Sequence, residues 1–245
     1  MKKLFMLIIV ILFCSFKVVS AATIKIDNFY DVKKQAKIIW QDHRITFYCG
    51  CSFDKHLNVN HASCGYAPQD MKRAKRVEWE HIVPVSWFGA QRPCWRDALC
   101  KHKNAKSYSG RNCCEKIDPE FRKMYYDLHN LVPAIGEVNK ARQNYRFVEL
   151  NVRDKIYNGC ELYINDDLRI VVPKDELKGM IARAYLYMAK TYPFKLNKNS
   201  QKLFITWHKQ YPPSAWEIEW NKRVKAVQGT DNVYISAFEK RRPQK

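Results

Sequence analysis

Beyond residue 22 the chain has no apolar run near the roughly 20 residues that a membrane-spanning helix needs, so no transmembrane segment is expected in the mature protein. It has no internal repeat and no low-complexity tract, which sets aside solenoids and compositionally biased linkers. The two close cysteine pairs, Cys49-x-Cys51 and Cys113-Cys114, lack the two-residue or longer gap of a zinc knuckle. No second His follows four residues after a Glu-flanked one, so a zincin helix is excluded. Negative charge is also scarce, with 24 Asp and Glu against 43 Lys and Arg.

What is present begins with an export signal. Met1-Lys2-Lys3 is a short basic segment, Leu4 to Phe16 is apolar, and Val19-Ser20-Ala21-Ala22 offers small residues for cleavage. The apolar run is too short for an anchor, and Lys17 interrupts it. The expected organisation is a signal peptide over 1–22, one α+β domain over 23–228 and a basic tail over 229–245. Loss of Lys2, Lys3 and Lys17 lowers the formal charge from +19 to +16. A surplus of that size acts as an attractive field for phosphate or for an anionic membrane, unless it only keeps the surface solvated.

Cys14 leaves with the signal, and eight cysteines remain: Cys49, Cys51, Cys64, Cys94, Cys100, Cys113, Cys114 and Cys160. An even number in an exported chain reads as four disulfides, whose pairing is open because eight cysteines allow 105 arrangements. Seven of them fall between residues 49 and 114, in a stretch rich in loop formers. Covalent staples are expected there in place of a large core.

Residues 29–43 follow helical spacing after an Asp27-Asn28 cap. Residues 77–85 alternate as a short strand ending at Pro84. Asp118-Pro119 opens a helix through about Tyr126, and Asn130 lies near a helix boundary set by Val132-Pro133. Residues 161–172 read as a hairpin, and 174–192 as the most regular helix of the chain. Further helices are expected at 200–208 and 215–227, and a strand-like run at 233–238.

Two blocks concentrate chemistry. In Glu78-Trp79-Glu80-His81-Ile82-Val83-Pro84, apolar residues hold a half-buried strand that aims a carboxylate and an imidazole at one spot. A Glu-His step alone is more often plain surface, so the flanking pattern carries the weight. The second block runs from Asp127-Leu128-His129-Asn130 to Asn144 and is dense in amides and charges. Within it His129 reads as a core neighbour, Asn130 as a cap, and Glu137 as a tether for a loop through an Arg. An amide oxygen beside a carboxylate nevertheless suits a hard divalent cation.

Together the blocks resemble the signature of the endonuclease I family of secreted bacterial nucleases. The matching residues are Glu78 to Pro84 and Asp127-Leu128-His129-Asn130-Leu131-x-Pro133-Ala134-Ile135-Gly136-Glu137-Val138-Asn139-x-x-Arg142-x-Asn144. The likeness spans about residues 27–220, with the signal and the cysteines. It implies a mixed α/β fold around a ββα-metal core, with His81 as general base and with Glu80 and Asn130 holding one Mg2+, for which Mn2+ or Ca2+ can substitute. It further implies Arg111 at the phosphate. Where relatives place an acidic residue ahead of the Asp-Leu-His-Asn run this chain has Tyr125-Tyr126, and Glu115 is expected to supply the supporting carboxylate.

The implied activity is hydrolysis of DNA, and of RNA, with little sequence preference. Contacts go mainly to phosphates, in the periplasm or outside the cell and by a monomer. Two other readings stay open: a cationic nucleic-acid-binding protein without catalysis, and a metal-free ribonuclease pairing His81 with His129.

Overall fold

The computed structural model describes residues 26–152 and 156–239. The signal segment and the last residues of the tail lie outside the described residues.

Asn28 caps helix α1 (Phe29–Ile39) by accepting hydrogen bonds from the amides of Tyr30 and Asp31, and Val32, Ala36 and Ile39 face inward. The helix stops at Trp40, short of the expected His43, where the chain turns into irregular structure. The short helix α2 (Met71–Ala74) precedes strand β1 (Val77–His81). After Pro84 come helices α3 (Val85–Gly89) and α4 (Pro93–Arg96), then the two-residue strands β2 (Cys100–Lys101) and β3 (Ser107–Tyr108). Helix α5 (Arg111–Ile117) leads to α6 (Pro119–Tyr125), capped as expected by Asp118, whose carboxylate accepts from the Phe121 amide at 3.1 Å.

A 3-10 turn at Leu128–Asn130 passes into strand β4 (Leu131–Ile135) and then helix α7 (Gly136–Arg142), two elements that the sequence did not announce. Pro133 disguised the strand. It is admitted because, among the described residues, β4 is paired in a sheet with β1 alone; on the other edge Pro133 needs no N–H, and its carbonyl accepts from the Phe47 amide at 2.7 Å. The pair is antiparallel, with Glu80 opposite Val132 and His81 opposite Leu131. Gly136 makes the corner into α7: a Cβ there would lie 2.6 Å from the Arg73 carbonyl and 2.9 Å from the Glu78 carboxylate, too close for any other residue.

Strands β5 (Arg146–Phe147), β6 (Ile156–Tyr157), β7 (Cys160–Asn165) and β8 (Ile170–Pro173) form a four-stranded sheet in the order β5-β8-β7-β6. The β7–β8 pair is the expected hairpin. The remaining helices are α8 (Asp175–Thr191), α9 (Lys198–Gln210), α10 (Ala215–Gln228) and α11 (Val233–Glu239). Helix α8 is buried along most of its length. Its Tyr185 stacks on Phe204 of α9 at 4.2 Å, and its Arg183 makes two 2.6 Å contacts with Glu217 of α10.

Helix α11 corrects the strand expected at 233–238. Asn232 starts it by accepting the amides of Tyr234, Ile235 and Ser236, and Ile235 is buried in the core. The β-branched composition pointed to a strand, but packing of one apolar face decided for a helix.

The whole is one mixed α+β domain with four disulfides. Cys49–Cys160 ties the N-terminal loops to β7, and Cys51–Cys64 closes a loop within them. Cys94–Cys114 and Cys100–Cys113 both end on α5, fixing the polar segment that cannot hold itself by burial.

Candidate active site

Strand β1 ends against a cavity of about 640 Å3 whose lining includes Trp79, Glu80, His81, Arg111, Asn139 and Arg142. Six stretches of chain meet there: α2, β1, the turn into α3, α4, the start of α5 and the second half of α7.

The His81 ring stacks on Tyr125 at 5.3 Å and on Phe29 at 5.5 Å, so its plane is fixed. Its Nε2 lies 2.9 Å from the Tyr125 carbonyl oxygen, which can only accept. The proton therefore sits on Nε2, and Nδ1 carries the lone pair. Burial pushes the imidazole pKa down to about 4, with Arg111 and Arg142 adding to the fall against the Tyr125 contact. The ring is neutral at physiological pH and able to accept a proton.

Glu80 is buried beside it. Its Oε1 accepts from the Tyr48 hydroxyl at 3.2 Å and lies 3.1 Å from Arg142 Nη1. Burial pushes its carboxyl up to about 7, although Arg142 and Tyr48 pull the other way. Arg142 also donates to the carbonyls of His81, Ile82 and Gln143, and the first two bonds hold the end of β1 in place. One shared guanidinium does not compensate Glu80 fully, and a divalent cation on the cavity side would supply the missing charge.

The amide expected to join Glu80 was that of Asn130. Asn130 is fully buried, and it is turned away from the cavity: its Oδ1 accepts from the Val83 amide at 2.7 Å, and its Nδ2 donates to the Val83 carbonyl at 3.0 Å. That pair of bonds clamps the chain as it leaves β1. The amide that lines the cavity is Asn139 of α7. Its Nδ2 donates to Glu78 at 3.3 Å, an orientation that leaves Oδ1 for a ligand. Glu78 is in turn gripped by Arg73 and Arg76. Among the described residues no group of three or more His, Cys, Asp or Glu gathers as a metal site. A cation here would bind one carboxylate and one amide and would draw the rest of its oxygens from water and substrate, as Mg2+ prefers.

Arg111 reaches the cavity from the first position of α5, after Gly110 at φ +85°. Its guanidinium lies 5.7 Å over the Tyr125 ring. Glu115 does not line the cavity; its carboxylate accepts from the Tyr126 hydroxyl at 2.7 Å. His129 is fully buried and bonded to the Thr230 carbonyl at 3.0 Å, and it does not join His81 at the cavity. Glu137 does tether a loop, but through the Tyr66 hydroxyl and the amides of Gln69 and Asp70 where an Arg had been expected.

Asn139, which lines the cavity, and Tyr125, which holds the His81 ring, are groups that no sequence pattern singles out. Asn139 stood in the quoted block nine residues after Asn130, and only the direction of α7 separates the two amides. Tyr125 contributes a backbone carbonyl, which no side-chain pattern announces.

Residues 19–239 match the family model described as Endonuclease I. An extracellular deoxyribonuclease of Aeromonas hydrophila is 42% identical over 213 residues, 85% of this chain and 88% of that protein. A periplasmic deoxyribonuclease of the same species is 42% identical over 213 residues, covering 85% of each chain. Endonuclease-1 of Buchnera aphidicola subsp. Acyrthosiphon pisum (strain APS) is 37% identical over 214 residues, 86% of this chain and 81% of its own.

Proposed function

The chain belongs to the endonuclease I family, and from that premise we propose that it is an exported endonuclease that hydrolyses phosphodiester bonds of DNA and RNA with the aid of one Mg2+. The observation that carries the reading is the meeting of Glu80, His81, Arg111 and Asn139 on a single cavity. The antiparallel β1–β4 pair followed by α7 supports reading the core as a ββα-metal unit. Relatives named extracellular and periplasmic, together with the paired cysteines, support export.

In this reading His81 is the general base. Its Nδ1 takes a proton from the attacking water, and the Tyr125 carbonyl stabilises the imidazolium through Nε2–H. Glu80 and Asn139 hold the cation, in place of the Glu80 and Asn130 pair expected from sequence; Mn2+ or Ca2+ can occupy the same donors. When bound, Mg2+ supplies Lewis-acid polarisation of the phosphoryl oxygen and charge compensation at the leaving oxygen. Arg111 binds the phosphate, and Arg142 keeps Glu80 and the end of β1 in register. Neither the imidazole nor the cation calls on the 2′-hydroxyl, so attack by external water suits either nucleic acid. Glu115 acts only indirectly, by bracing Tyr126 beside Tyr125.

Incubating supercoiled plasmid, and separately RNA, with the enzyme in Mg2+ and then in excess EDTA tests the proposal. Cleavage in Mg2+ that stops with EDTA is the expected result. Plasmid that is bound but intact in Mg2+ would mean a non-catalytic binding protein.

A further inference from the structure

A second concavity, of about 450 Å3, adjoins the catalytic one, and the two share Trp79 of β1 in their walls. Its floor is aromatic, with buried Trp40 and Phe53. Its rim carries Lys37 of α1, Arg44 and Lys55, all exposed, and none has an ion-pair partner among the described residues. That is unlike the cations nearby: Arg73 and Arg76 grip Glu78, and Arg223 grips Asp42 and Glu219. The one carboxylate in the lining, Asp54, is occupied inside its own turn, accepting from the amides of His56 and Asn58 and from the Asn58 side chain.

Unpaired cations around an aromatic floor are how proteins bind single strands without reading bases: phosphates meet the charges, and any base can stack on a ring. The volume falls within the roughly 300–1,000 Å3 of pockets that enclose organic ligands, enough for a nucleotide. We propose that this groove is a substrate-strand subsite, which takes the nucleotides adjoining the scissile phosphate with their phosphates on Lys37, Arg44 and Lys55 and a base against Trp79. The inference rests on the phosphodiesterase reading, because its occupant is the strand whose scissile phosphate sits beside His81. The wall shared at Trp79, together with the unpaired cations, makes that strand the occupant.

The test is binding of a short fluorescent single-stranded thymidine oligomer to the mature protein in EDTA, followed by anisotropy across a salt titration. The groove variant carries Lys37→Gln, Arg44→Gln and Lys55→Gln. The comparison variant removes equal charge from helix α9 through Lys198→Gln, Lys202→Gln and Lys209→Gln. Loss of three phosphate contacts should weaken binding about tenfold and flatten the log–log salt slope by about 2. The α9 variant should change both far less. Trp79→Leu should lose more affinity for the thymidine oligomer than for an abasic oligomer of equal length, a difference measured within one variant and so independent of its stability. Equal losses in the two charge variants, or no difference between thymidine and abasic strands, would overturn the subsite. Hydrolysis of bis(p-nitrophenyl) phosphate by the unaltered protein in Mg2+ judges the phosphodiesterase reading separately, because binding in EDTA needs no turnover.

Discussion

Two buried carboxylates, one on a helix and one on a strand, show how structure and function part. In the helical part Glu217 of α10 is met at both oxygens by Arg183, and its backbone amide donates to the Ser214 hydroxyl that caps α10. On the strand side Glu80 has a single contact with Arg142, one with a tyrosine hydroxyl, and a cavity in front. Burial raises the pKa of both. A buried carboxylate met by a guanidinium at both oxygens serves the fold, whereas one left partly uncompensated beside a cavity is a candidate ligand site.

The largest effect that would sharpen this contrast is at the neighbour of Glu80. His81→Ala should lower turnover on DNA about 1,000-fold, in the range of lost general-base catalysis, with oligonucleotide affinity retained in a binding assay. Next are the two carboxylates themselves. Glu80→Gln should lower Mg2+-supported turnover on the order of 100-fold through lost cation stabilisation, while Glu217→Gln should leave turnover per folded molecule intact and cost about 3 kcal/mol in urea unfolding by stranding Arg183. The comparison breaks if the two variants exchange phenotypes.

The two amides divide in the same way on a smaller scale. Asn139→Ala should raise the Mg2+ needed for half-maximal activity about tenfold, judged by the effect of losing one group around a metal, with little change in Tm. Asn130→Ala removes both bonds to Val83 and should cost about 2 kcal/mol by leaving buried backbone groups unpaired. Thermal unfolding beside a Mg2+ titration reads both.

The smallest effect is in acid. Burial tends to raise the Asp118 carboxyl, but the Arg92 guanidinium, at 2.7 and 3.0 Å, and the Phe121 amide hold it below the usual carboxylate range. A folded pKa below the unfolded one gives stability that is fully present above about pH 4 and is lost as pH falls through the folded value. Tm should therefore drop less steeply below that pH in Asp118→Asn than in the unaltered protein.

Sequence alone made legible whatever is written in side chains over short range. The Glu80-His81 step on a strand, the Asp118 cap of α6, the β7–β8 hairpin and the length of α8 all follow from spacing and composition. Arg111 at the cavity followed from family resemblance. What stayed hidden depends on three-dimensional direction. Asn130 and Asn139 are the same residue type within one block, and the tight corner at Gly136 sends α7, and Asn139 with it, to the cavity. The His81 ring is oriented by a carbonyl of Tyr125, a group that every residue possesses. Disulfide partners are set by the same long-range geometry, and β4 was masked by a proline that a two-stranded sheet tolerates.

The central claim is that Glu80 and Asn139 share one cation, and Mn2+ binding followed by electron paramagnetic resonance tests it most directly. The account predicts one Mn2+ bound per chain in the unaltered protein and in Asn130→Ala, with binding lost in Glu80→Gln and strongly weakened in Asn139→Ala. Mn2+ held equally well by Glu80→Gln and Asn139→Ala would contradict it.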